Sequence, residues 1–183
     1  MSNFTDRTVG GRDVATEKSG VIAAPWGVQL ERAREIALRK LDQRAYTYAE
    51  LHEVLLKQGC PIAVVEELLH GFEDVGLLND AEFALAWVAS RHGHRNLSRR
   101  AVAAELRRKG IADELATEVL SGIDHESELR AAREVAASKT RALAGLTYPV
   151  AYRRLAGALG RRGYDSSVIA EVVKEALLKE AHD

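Results

Sequence analysis

The sequence predicts an all-α protein built as an array of three tandem three-helix repeats, with a disordered N-terminal tail. Three observations predict it. First, Gly59, Gly110 and Gly163 stand 51 and 53 residues apart, and self-similarity at such a period marks a repeat architecture. Second, each glycine follows a leucine four residues back (Leu55, Leu106, Leu159) and another apolar residue eight back (Leu51, Val102, Leu155). That spacing puts each pair on one helical face. Third, the 183 residues hold only 3 prolines, are rich in Ala, Leu, Glu and Arg, and show no sustained two-residue alternation, a balance that favours helix over strand.

The elements follow in order. Residues 1–29 are rich in Gly, Ser, Thr and Asp and carry no apolar period, so they are read as a flexible tail. Repeat 1 covers 30–78. Its helices are "RAREIALRKL", a second helix capped by Thr47 and ended at Gly59, and "PIAVVEELLHGFEDVG". Repeat 2 covers 79–124, with "DAEFALAWVASRH", a second helix capped by Ser98 and ended at Gly110, and "ADELATEVLSGI". Repeat 3 covers 125–183, with "ELRAAREVAASKTRALAG", a second helix ended at Gly163, and "DSSVIAEVVKEALLKE". Thr47 and Ser98 lie twelve residues before their glycines, where an N-cap belongs. The third copy opens differently, through "LTYPV", where Pro149 suits a helix start. Each glycine then turns the chain from second helix to third. A lone three-helix unit buries little area, so the units are expected to support one another in a row.

Apolar runs fall short of a membrane span, the N-terminus lacks an apolar h-region, and the single Cys60 suits a reducing cytoplasm. No phosphate-loop, zinc-protease or nucleophile-elbow motif is present. His92 and His94 have no accompanying ligand set and read as a solvated helix end; Cys60 reads as a half-buried spacer. The expectation is therefore a non-enzyme with no cofactor, metal or small-molecule substrate. Phe83 and Trp87 share one face and are expected in the core. Tyr46, Tyr48, Tyr148 and Tyr152 cluster near second-helix starts, where they could pack between units.

Net charge is −1, but the charge is segregated. Residues 91–110 hold seven bases against Glu105, 111–134 turn acidic, and 139–163 hold six bases and no acid. Alternating blocks of this size can present basic and acidic strips. On a helical wheel Val102 and Leu106 face the core while Arg100 and Arg107 lie opposite, with Arg108 one step round. Arg153 takes the angle of Arg100, Arg161 that of Arg108, and Arg162 corresponds to Lys109. Bases in a last turn favour the helix dipole, which accounts for Arg108, Lys109, Arg161 and Arg162. Arg99, Arg100, Arg153 and Arg154 are placed by the sequence in first turns, where the dipole disfavours them. These residues, with Arg95 and Arg107, are the candidate face for an anionic partner, since guanidinium pairs with phosphate and carboxylate alike.

The stretch "LLNDAEFALAWVASRHGHRNLSRRAVAAELRRKGI", residues 77–111, resembles the signature of the RecX family. Asp80, Phe83, Ala84, Arg91, Gly93, Glu105, Leu106, Lys109, Gly110 and Ile111 occupy its places, and Asn96 stands where a second glycine is common. The resemblance covers about residues 31–180, with the same unit length and three-copy plan. It implies an elongated, curved helical protein lying in the groove of the RecA–DNA filament. Such a protein touches single- and double-stranded DNA weakly or only with RecA, and restrains RecA's ATP hydrolysis, strand exchange and co-protease activity. Two other readings stay open on the residues alone: a DNA-binding helical scaffold acting without RecA, and a helical adaptor for another protein.

Overall fold

A computed structural model describes residues 24–180; most of the expected flexible tail, 1–23, lies outside the described residues. Nine α-helices follow one another, with no strand among the described residues. They are α1 (Trp26–Leu41), α2 (Tyr48–Lys57), α3 (Ile62–Asp74), α4 (Asp80–Val88), α5 (Arg99–Arg108), α6 (Asp113–Leu120), α7 (His125–Thr140), α8 (Tyr148–Gly160) and α9 (Ser166–Glu180).

Helix α1 begins before the expected Leu30. The Pro25 carbonyl accepts from the amides of Val28 and Gln29 at 2.9 and 3.1 Å, so a turn forms there. Trp26 and Val28 are exposed, and that turn therefore shows no apolar period in the sequence.

Each consecutive trio of helices closes on its own core. Ala33, Ala37, Leu51, Leu55, Val64, Val65 and Leu69 fill the first. Phe83, Ala84, Val102, Leu106, Ala116 and Leu120 fill the second. Ala132, Val135, Leu155, Leu159, Val168, Val172 and Val173 fill the third. In each trio the first helix lies against the third. Small alanines on the first helix (Ala33, Ala84, Ala132, all fully buried) allow the close approach, and the branched residues of the third helix interlock with them. Of the four tyrosines, Tyr46 and Tyr48 lie against the first core, Tyr152 lies against the third, and Tyr148 is exposed.

The α4–α5 link widens into a π-helical stretch, Ala89–His94. His92 Nδ1 lies 2.8 Å from the Leu97 carbonyl, so this histidine ties the link to itself. Asn96, at the place expected for a glycine, adopts φ 52°. Asparagine tolerates the left-handed region better than most residues, and Asn96 is held there from two sides. Its carbonyl accepts from the Tyr164 hydroxyl at 3.0 Å, and its side-chain Nδ2 donates to Glu134 at 3.0 Å.

Thr47 and Ser98 are the only buried polar or charged residues among those described, and they mark how the units join. The Thr47 hydroxyl accepts from the Glu50 amide and donates to the Lys109 carbonyl at 2.6 Å, at the far end of α5. The Ser98 hydroxyl caps α5, and its amide donates to the Arg162 carbonyl at 3.0 Å, at the end of α8. The second helices are thus set end to end in the order α8, α5, α2. At both joints a carboxylate from the next unit's first helix takes the first amide of the second helix: Asp80 from Tyr48 and Glu128 from Arg99, each at 2.8 Å. The glycines let the ends meet. Gly110 and Gly163 hold φ of 76° and 89°. A Cβ at Gly110 would sit 2.2 Å from that of Ala49, and one at Gly163 would sit 2.6 Å from the Ser98 hydroxyl oxygen.

The outer ends of the array depart from this plan. A Cβ at Gly59 would meet nothing within 4 Å among the described residues. Beside it Gln58 replaces the base found at Lys109 and Arg162. Gln29 holds the α1 place of Asp80 and Glu128, four residues before the buried alanine. Helix α8 carries an extra turn at its start, over Tyr148–Ala151, beyond the point corresponding to Thr47 and Ser98.

Candidate anionic-partner face

The joints claim part of the candidate face. Lys109 is held inside the first joint: its Nζ pairs with Glu50 at 2.8 Å and lies 4.3 Å from the Trp87 ring centroid. Trp87 stacks on Phe83 at 5.5 Å, takes the Arg91 guanidinium over its ring at 4.0 Å, and donates through Nε1 to Glu105 at 2.9 Å. Trp87 is half-buried, since it builds the joint as well as the core. The wheel already carried the signal for Lys109, because its angle falls beside Leu106 and not beside Arg100.

Arg44 completes this cluster. It meets Glu50 at 2.8 and 3.3 Å and lies over the Tyr46 ring at 3.5 Å. Burial pushes the Glu50 carboxyl up, but hydrogen bonds and charge from Arg44 and Lys109 outweigh it and hold the group below its ordinary range. Burial also pushes the Asp80 carboxyl up, opposed by the Tyr48 amide. A carboxylate depressed in the folded state adds stability above its unfolded pKa of about 4.3 and loses it as pH falls through the folded value. The stability gap between the wild type and Glu50→Gln is therefore expected to be full near neutral pH and to close below about pH 4. Urea melts of both proteins across that range measure it.

Arg100 is exposed but engaged at the second joint: its Nε donates to the Gly163 carbonyl at 3.1 Å. The C-terminal end of α8 thus supplies the negative pole that a first-turn arginine lacks in an isolated helix. Arg107 pairs with Asp113 at 3.3 Å on the surface. The placement of Arg153 and Arg154 is corrected as well. Because α8 starts at Tyr148, with Pro149 in its first turn, both lie beyond the first turn and the dipole argument does not apply to them.

The remaining bases are available. Arg95, Arg99, Arg108, Arg153, Arg154 and Arg161 are exposed, and none of their side chains has a hydrogen bond or ion pair among the described residues. In repeat 1, by contrast, Lys57, the counterpart of Arg108 and Arg161, is paired with Glu53 at 2.5 Å. Arg154 and Arg161, two turns apart, share one side of α8. Sequence reasoning missed Glu50, Asp80, Glu128 and Asn96 as joint residues. Only Glu50, three after Thr47 in capping-box spacing, had a readable signal.

Among the described residues no cluster of three metal-ligating side chains occurs, and no helix is long and apolar enough to cross a membrane. Fold and surface together define a tandem helical-repeat protein with end-to-end joints and a partly unpaired arginine face. Family models for the first, second and third three-helix domains of RecX match residues 33–70, 79–120 and 126–173. The chain belongs to the RecX family. It is 46% identical over 154 residues to the Regulatory protein RecX of Streptomyces coelicolor, covering 84% of this chain and 82% of that one. It is 39% identical over 175 residues to that of Thermobifida fusca, covering 96% and 92%. The crystal structure of RecX from Lactobacillus salivarius shares the fold with a TM-score of 0.72 at 18% identity, over 83% of this chain and 99% of that one.

Proposed function

We propose that this chain is a non-enzymatic regulator that binds the RecA–DNA filament in the cytoplasm and restrains RecA's ATP hydrolysis, strand exchange and co-protease activity. The observation that carries it is the set of exposed guanidiniums without partners among the described residues, on a chain of the RecX family. Arg108, Arg153, Arg154 and Arg161, with Arg95 and Arg99 nearby, form the contact face for phosphates and partner carboxylates. Arg100, Lys109 and the Arg162 carbonyl contribute through the joints that hold this face, while Arg107 is paired with Asp113 on the surface. A net charge of −1 favours a composite protein–DNA partner over bare DNA, whose binding rests on phosphate neutralisation.

Near-stoichiometric addition of the chain is expected to suppress ATP hydrolysis by RecA on single-stranded DNA. Hydrolysis that continues unchanged at that ratio rules the reading out.

A further inference from the structure

The two joints are built from the same parts, and one part is missing from the second. At the first joint a base at the end of α5, Lys109, meets a carboxylate three residues after the N-cap, Glu50, at 2.8 Å. At the second joint the base is Arg162, and the residue three after Ser98 is Ala101. No counterion takes the place of Glu50. Arg162 Nε is buried without an acceptor, and no ion pair reaches its guanidinium among the described residues. The two acids whose charges reach Tyr164 together with that of Arg162 have partners elsewhere, Glu128 with the Arg99 amide at 2.8 Å and Glu134 with the Asn96 side chain at 3.0 Å. The other orphaned Nε, that of Arg91, differs: it lies 2.9 Å from Glu105, an ion pair whose N–H is not aimed at the oxygen.

Evolved chains rarely leave a buried donor unsatisfied, and such breaches concentrate where a protein works. We propose that Arg162 is a binding residue for a carboxylate supplied by a partner protein, a glutamate or aspartate side chain that enters the second joint where Glu50 closes the first. A carboxylate on a slender stem suits a partly buried guanidinium between two units. A phosphodiester flanked by two sugars suits the exposed arginines, such as Arg154 and Arg161, instead. The inference rests on the filament-binding reading and adds to it the chemistry of one contact.

The test uses the full chain and two variants, Ala101→Glu and Arg162→Met. The first supplies the counterion within the chain and completes a capping box with Ser98; the second removes the unpaired group. Both are expected to melt no lower than the wild type and to bind RecA filaments on single-stranded DNA about tenfold or more weakly, as loss of a charge-assisted hydrogen bond implies. Wild-type affinity in Arg162→Met, or a lowered melting temperature in that variant, overturns the proposal. If the wild type does not bind the filament at all, the functional reading falls. Hexaglutamate titrated against the 15N-labelled chain then decides this one. A shift of the Arg162 Nε resonance by hexaglutamate, not by oligothymidylate of equal charge, supports it. No shift, or a shift by oligothymidylate, overturns it.

Discussion

Replacing Gly110 by alanine is expected to cost about 3 kcal/mol, and the same change at Gly59 about 1 kcal/mol. Both glycines hold nearly the same positive φ, 76° and 77°, so both variants bear the left-handed strain of about 1–2 kcal/mol. They differ in what the new methyl meets. At Gly59 it meets nothing within 4 Å among the described residues; at Gly110 it lies 2.2 Å from the Ala49 Cβ, and overpacking adds about 1–3 kcal/mol. Gly163→Ala belongs with Gly110→Ala, because the Ala101 Cβ lies 2.7 Å from the added atom. Urea denaturation of the three variants orders them. Equal losses at Gly59 and Gly110 contradict a joint at the second position.

Reversing Arg154 and Arg161 together to glutamate is expected to weaken filament binding on the order of 100-fold, since charge-assisted hydrogen bonds contribute about 1.5–3 kcal/mol each. Neither side chain has a partner among the described residues, so the melting temperature stays near the wild-type value. Reversal of Arg100 is a poorer probe: it also breaks the bond to the Gly163 carbonyl and confounds binding with folding. Anisotropy titration at fixed salt reads the change. Unchanged affinity with unchanged stability moves the contact face elsewhere.

The helical units were legible because their signals are local. The spacing of Leu51 and Leu55, of Val102 and Leu106, and of Leu155 and Leu159 needs only one turn of helix to interpret. The joints were not, because their partners stand far apart in sequence: Thr47 with Lys109, Tyr48 with Asp80, Arg100 with Gly163. The first-turn argument for the arginines failed for the same reason. It treated α5 as an isolated dipole, whereas the end of α8 abuts it, and it carried the first-turn place of Arg99 and Arg100 over to Arg153 and Arg154 although α8 opens at Tyr148 and Pro149. Glycine was read as a turn residue; its second use, as a seat for a neighbouring unit's helix, depends on a residue 61 positions away in the case of Gly110 and Ala49.

The departures at the outer ends give the protein a fixed count. A joint needs a glycine seat, a base beside it and a carboxylate on the first helix, and it receives a helix start trimmed to the right turn. At its outer face the first unit keeps the seat but has Gln58 and Gln29 in place of both charges, while α8 is a turn too long to be received. Copies of this chain therefore lack a matched pair of ends with which to concatenate. On the proposed reading, the three described units enter the filament as one discrete increment, and any regular spacing between bound copies is set by the lattice of the partner.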